Sequence, residues 1–451
     1  MHDMAFLCTS PHSFTHAKGF PLRLCSGLTL RQFNKLTTSN AQGKTLEKGF
    51  TLVELLIVIG ILAILSVAVV VVLNPAELIK QSRDSSRMSD FAAISTAMSL
   101  YTIDQPGGFT GSSSIVYVSI PDTSNTCANL GLPTLPTGYS YACSSTSTYR
   151  KVDGTGWMPL SLSSMATGAP FSVLPIDPVN TTSSGNYYTY TPSGQKYEVA
   201  TPFESAKYKL GGSADRASKD GGIYTGLYES GSSLTLAPID YGDPSLVGYW
   251  TFNEGTGTKV YDFSGHNASG TWAGTLGSQW VGGRVGAYAG SFNGTDNHVN
   301  VSSTNALKIL NPISMTAWIN PTTTSSLMSV LTKGQDGTAY DYGLLIKITS
   351  GVITFRNSTA DVYSTSTVTT GVWQFVGLSC ADNISCKVYI NNNFSSTITL
   401  TYGGAIQSNW SLDIGNAMGT SVFMNGSIDD VRIYNRALSA SEILALYNAT
   451  K

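Results

Sequence analysis

The chain has 451 residues, enough for two or three domains, but only 12% are Asp, Glu, Lys or Arg, few for a cytosolic globular enzyme. Abundant Gly, Ser and Thr with 23 Tyr suit turn-rich, β-rich extracellular domains. The net charge of −2 excludes a basic nucleic-acid footprint, yet it is unevenly spread: residues 1–49 carry +4 and the remainder therefore −6.

The basic leader contains Cys8, Cys25 and a Lys18-Gly19-Phe20 triplet that is followed by Pro-Leu-Arg and not by an apolar run. Beyond the leader, one apolar stretch dominates the chain. Leu52 to Leu73 holds 22 residues with a single charge, Glu54. As a helix it spans roughly 33 Å, enough for a bilayer. Basic residues before it and acidic ones after it agree with the positive-inside rule. No small-residue cleavage site comes after the apolar run; the small residue, Gly49, precedes it on the cytoplasmic side, unlike a secretory signal.

Lys48-Gly49-Phe50-Thr51-Leu52-Val53-Glu54-Leu55-Leu56 resembles the class III signal of type IV prepilins and type II secretion pseudopilins. The resemblance implies that prepilin peptidase cuts between Gly49 and Phe50 and methylates the new N-terminus. It makes Glu54 the fifth mature residue, a carboxylate that pairs with a neighbouring subunit's N-terminus during assembly. A carboxylate in hydrocarbon requires such a partner, or else snorkels to the interface. The 49-residue leader is longer than usual for the family, which suggests a start site further along the chain.

Asn74-Pro75 is expected to kink or melt the helix. Beyond it Phe91, Ile94, Met98 and Tyr101 recur at helical spacing among Lys80, Arg83, Asp84, Arg87 and Asp90, predicting the amphipathic half of a pilin helix that ends near Gln105-Pro106.

Residues 106–240 read as a small head of short strands, with Ile115–Val118 and Tyr187–Tyr190 as candidates. Cys127 and Cys143 form one close pair, Cys380 and Cys386 another; such pairing points to an oxidising compartment and two disulfides. Leu174-Pro175-Ile176-Asp177-Pro178 followed by Tyr187–Tyr190 resembles a stretch of major pseudopilins. Gly212–Asp215 and Asp220–Gly222 loosely resemble their calcium loop, implying Asp215 and Asp220 as ligands, although the spacing differs.

Leu236–Pro244 reads as a linker. From Leu246 onward short strands and turn signals alternate, predicting an all-β sandwich or jelly roll over 246–451. Val247–Gly255, Asp262–Asn267, Ala317–Ile319, Trp373–Val376 and above all Gly426–Ser439 resemble the laminin-G-like, concanavalin A-like jelly roll of bacterial surface proteins. That likeness implies a structural calcium on Asp262, Asn267 and Asp429 or Asp430. The alternative is that Asp430 pairs with Arg432 and Asp262 opens an Asx-turn. By strand parity Val376, Leu378 and Cys380 share one face, and Cys386, Val388 and Ile390 another, so the two sulfurs meet across an apolar hairpin face.

Catalysis is not expected. A glycosidase needs two flanking carboxylates; the only glutamates after residue 245 are Glu254 and Glu442, near opposite ends of the domain, which leaves Asp pairs as the formal alternative. After the leader only His266 and His298 remain, which excludes a multi-His zinc centre and leaves little for a Ser-His-Asp triad. Trp272, Trp280, Tyr340, Tyr342 and Trp410 are candidate sugar-stacking residues. The expected fold class is α+β: a long N-terminal transmembrane helix (within 50–105) with a small pilin-type head, then a concanavalin A-like sandwich. The expected role is a minor pilin or pseudopilin in the inner membrane, with its C-terminal domains outside. Its partners would be prepilin peptidase, other pilin subunits, the assembly platform, membrane lipid and a glycan or extracellular protein, with no nucleic acid. The rivals are a structural protein of a type II secretion-like system with no ligand and, less favoured, a surface glycoside hydrolase.

Overall fold

The computed structural model describes residues 51–451 except 110, 310–311, 324–326, 336–338, 347–350, 357–360, 382–384, 400–408 and 418–420, and leaves out some side chains within helices and strands, 67–73 among them. Gly49, Phe50, Cys8 and Cys25 therefore lie outside the described residues. The chain divides into two units, Met1–Val67 and Ala68–Lys451.

Helix α1 runs from Leu52 to Leu73. Its start is a capping box: the Thr51 hydroxyl accepts from the Glu54 N–H (3.2 Å) while Glu54 Oε2 accepts from the Thr51 N–H (2.9 Å). Among the described residues no helix is long and apolar enough to cross a membrane; side chains of α1 are described only as far as Ser66. The helix stops at Asn74, which adopts φ 39° and caps α2 (Pro75–Asp104), with Pro75 in the first turn, where a missing N–H costs nothing.

In α2 the buried stripe is Asp84, Arg87, Phe91, Ile94, Ala97, Met98 and Tyr101. The apolar part packs with Trp157, Leu174, Tyr188, Tyr190 and Val199 as the head core. Two residues read from sequence as intervening charges are thus fully buried. Arg87 makes a bidentate pair with Asp177 (2.6 and 2.8 Å) and bonds Asp84 (2.7 Å) and Glu204 (2.8 Å). Asp84 in turn accepts the backbone N–H groups of Glu204 and Ser205. The network ties α2 to the Leu174–Pro178 segment and to the residues after a strand, with the buried guanidinium hydrogen-bonded on all sides by carboxylates.

The head sheet has five strands, β1 (Ile115–Val118), β2 (Ser140–Cys143), β3 (Thr189–Ser193), β4 (Lys196–Pro202) and β5 (Leu227–Gly231), in the order β2-β1-β3-β4-β5. Only β1 and β2 are parallel. Tyr187 and Tyr188 precede β3 instead of belonging to it. The Cys127–Cys143 disulfide closes the β2 side, with Cα atoms 5.3 Å apart.

From Leu246 the chain forms two eight-stranded sheets. One runs Asn393–Thr399, Ser385–Ile390, Gln374–Cys380, Ile313–Pro321, Asn425–Tyr434, Tyr288–Asn293, Trp280–Gly282, with Leu246–Trp250 also on Asn425–Tyr434. The other runs Asp361–Thr367, Val352–Arg356, Ala339–Ile346, Met328–Gln335, Leu412–Ile414, His298–Val301, Gly270–Ala273, Lys259–Val260. Inward residues of both, among them Val299, Val301, Leu412, Ile414, Leu378 and Ile433, form one core. Cys380 pairs in register with Cys386 and the disulfide lies within that core.

The first sheet is covered on its other face as well. Tyr249, Trp318, Phe375, Tyr389 and Tyr434 pack with Ile443 and Leu446 of helix α3 (Ala440–Thr450) and with Ala200, Tyr224, Leu227 and Ala237 of the head. The expected linker is therefore no tether. Ala237, Ile239 and Asp240 are buried, and head and jelly roll share an apolar core within one compact unit.

Candidate functional site

The carboxylates expected to hold calcium are built into the junction between head and jelly roll. Asp262 Oδ1 accepts from the Tyr249 (3.1 Å) and Ser264 (2.9 Å) N–H groups, and Oδ2 from Ala268 (2.9 Å). This is the Asx-turn arrangement. Asn267 is exposed with φ 56°. Asp429 Oδ2 accepts from the Arg284 and Val285 N–H groups, both at 2.8 Å. Burial, with the Asp430 charge beside it, pushes the Asp429 carboxyl up to about 7. Asp430 sits at φ 47° and pairs with Arg432 Nε (2.6 Å).

In the head, Asp215 accepts from Gly211 N–H and from the N–H and hydroxyl of Ser218. Asp220 accepts from Gly222 and Glu229 N–H groups, and burial raises it to about 7. None of these sets fits calcium. The cation needs six to eight oxygens, whereas these oxygens are met by N–H and O–H donors whose positive ends would repel it. No group of three or more His, Cys, Asp or Glu suited to a metal occurs among the described residues.

The Gly426–Ser439 segment instead holds the junction together. Arg432 bonds the Tyr249 hydroxyl (2.9 Å) and Thr225 of the head (2.7 Å), and its guanidinium lies 4.2 Å from the Tyr249 ring centroid. Arg436 bonds Asp243 and Glu442, both at 2.7 Å. Ser439 and Glu442 form the capping box of α3. The sequence motif is thus an architectural element, a role that its Asp-Asp-x-Arg spacing signals only through the same-face pairing of Asp430 and Arg432.

A second buried carboxylate site was not expected from sequence. On β4 and β5, Ala200 lies opposite Glu229, so Glu198 and Glu229 are diagonal neighbours on one face. Glu198 Oε2 accepts from Leu236 (2.6 Å) and Ala237 (3.0 Å) N–H groups; Glu229 Oε2 accepts from Tyr224 N–H (2.9 Å). Each Oε1 is buried without a donor, and the two carboxyls lie within hydrogen-bonding reach of each other. Burial raises both carboxyls, and one proton shared between them would supply the donor that each Oε1 lacks.

Two further features gather polar groups, one a largely buried row and one a cavity. On the second sheet, the face turned away from the core carries a cross-strand row: Thr271, Asn300, Asp413 and Thr332. Asn300 Nδ2 donates to Asp413 Oδ1 (2.7 Å), burial raises the Asp413 carboxyl, and Asn416 Oδ1 beside it has no partner among the described residues. The other is a cavity of about 560 Å³ lined by both head and jelly roll, including Lys80, Ser184, Lys209, Tyr241 and His266. The expected aromatics contribute little to either. Trp272 and Tyr342 belong to the sandwich core, Trp280 packs on it, Trp410 is half-buried, and the Tyr340 side chain lies outside the described residues.

The family model of the concanavalin A-like lectin/glucanases superfamily matches residues 293–444, and that of the prokaryotic N-terminal methylation motif matches residues 44–70. A comparison with curated proteins yields no match. Among solved structures, domain 4 of AbnA, a GH43 extracellular arabinanase from Geobacillus stearothermophilus, in complex with arabinotriose, is 21% identical with a TM-score of 0.39, covering 46% of this chain and 98% of its own. The binding domain of Paraclostridial Mosquitocidal Protein 1 is 16% identical, TM-score 0.38, covering 46% and 52%. Botulinum neurotoxin type C, whose cell entry depends on interaction with two ganglioside molecules, is 16% identical, TM-score 0.36, covering 46% and 51%. The chain carries a prepilin-type N-terminal methylation motif and a laminin-G-like, concanavalin A-like jelly-roll domain.

Proposed function

We propose that the protein is a minor pilin or pseudopilin that displays its jelly roll outside the cell for binding to a glycan or protein. Prepilin peptidase cuts between Gly49 and Phe50 and methylates Phe50. Residues 52–73 then hold the chain in the inner membrane, and Glu54 pairs with a neighbouring N-terminus as the subunit enters a filament. The observation that carries this reading is the match of the methylation motif to residues 44–70, directly on the 22-residue helix Leu52–Leu73. That helix is long enough to span a bilayer at about 1.5 Å per residue. A bulky jelly roll packed on the head favours a minor or tip position over a major one.

Mass spectrometry of the protein from cells with and without prepilin peptidase tests the processing. The expected mature N-terminus is methylated Phe50, seen only with the peptidase; an intact leader in both strains refutes it. Glu54→Ala is expected to be processed yet absent from sheared filaments.

A second reading has its own support. The shared core and the Arg432 network make the jelly roll a rigid extension of the head, as in a purely structural subunit of a secretion-type filament. Glycan-array binding by the full chain separates the two.

A further inference from the structure

We propose that the cavity between head and jelly roll is a binding site for an acidic saccharide; this rests on the glycan-binding reading above and names its site and ligand class. The volume, about 560 Å³, is that of a pocket for a few sugar rings. Its wall mixes polar and apolar groups: Ser183 and Ser184 on an exposed loop of the head and His266 of the jelly roll line it together with the rings of Tyr187, Phe203 and Tyr241. Hydroxyls and an imidazole beside aromatic rings suit a sugar, whose hydroxyl groups meet the first and whose C–H faces meet the second.

The charged groups outside ion pairs choose the acidic class. Two acids line the cavity, and both are held in ion pairs: Glu204 with Arg83 and Arg87, and Asp243 with Arg436. Lys80 and Lys209 also line it and have no ion-pair partner among the described residues. The charged groups left free to meet a ligand are therefore two flexible ammonium groups, which suit a carboxylate carried on a sugar. Tyr241 cannot move freely, because its hydroxyl bonds Ala200 O (3.0 Å) and Thr189 (3.1 Å) and its ring stacks on Tyr187 at 4.8 Å. The cavity floor is thus fixed before a ligand arrives. Because head and jelly roll each supply part of the wall, neither alone forms the site.

The test uses the full-length chain in detergent on an array of uronic- or sialic-acid-bearing oligosaccharides and their neutral counterparts, at low and high salt. Two variants accompany it: Lys80→Ala with Lys209→Ala, and Ser184→Trp, which fills the cavity from an exposed position. The expected result is retention of acidic sugars, weakened by salt and by roughly tenfold or more in each variant, with unchanged melting temperatures. Acidic-sugar binding that both variants leave intact overturns the proposal. So does binding of neutral sugars only, although glycan binding itself then stands. No retention of any sugar overturns both, while the processing test remains independent.

Discussion

Glu229→Gln is the most informative substitution in the head. A proton shared by Glu198 and Glu229 in the folded protein would satisfy two buried oxygens, Oε1 of each, that otherwise lack donors. Glutamine makes that donor permanent. Its carbonyl oxygen takes the place of Oε2, accepting from Tyr224 N–H, and its NH₂ faces Glu198. The sign comes from linkage. Both carboxyls are raised in the fold, chiefly by burial, so the folded protein keeps a proton that the unfolded chain releases above about pH 4.5. Wild-type stability is therefore greatest below that pH and falls as pH rises toward the folded-state value. Asp220, at about 7, acts in the same direction.

At pH 5 the variant should match the wild type within a few tenths of a kcal/mol. At pH 8 it should be more stable by about 1–3 kcal/mol, the usual cost of a buried polar group without a partner. In a chain of this size that is roughly 2–5 °C in melting temperature. Glu229→Ala, which leaves Glu198 Oε1 without a donor and opens a void, should destabilise at both pH values. Thermal melts of the three proteins from pH 5 to 8 decide the matter. A Glu229→Gln protein that is less stable than wild type at pH 8, or that leaves the pH slope unchanged, refutes the shared proton.

Replacing Arg432 by Leu leaves Asp430 buried without its cation and severs the bond to Thr225, and should cost about 3–5 kcal/mol by urea denaturation. Replacing Cys127 and Cys143 by Ser should cost about 3 kcal/mol, and opening the shorter Cys380–Cys386 loop less, about 2 kcal/mol, because the sequence separations are 16 and 6. Calcium and EDTA should leave the melting temperature unchanged, since the candidate carboxylates already accept hydrogen bonds from protein donors; a calcium-dependent rise would show that these bonds yield to the cation.

Several features were determined by local sequence alone. The apolar run from Leu52, the Pro75 break, the amphipathic stripe of α2 and the parity that brings Cys380 to Cys386 all depend on residues a few positions apart, where period and turn chemistry suffice. Other features were decided only by tertiary structure. Arg87 and Asp84 read as solvated helix charges until distant segments meet them: Asp177 and Glu204 pair with Arg87, and the Glu204 and Ser205 N–H groups donate to Asp84. Trp272 and Tyr342 read as exposed aromatics until two sheets close over them. The linker around Ala237 reads as a tether until Tyr249, Trp318 and the head sheet bury it. Whether a polar residue is a ligand, a partner or a solvated surface group depends on the donor that meets it, and distant segments supply that donor only once they have packed together.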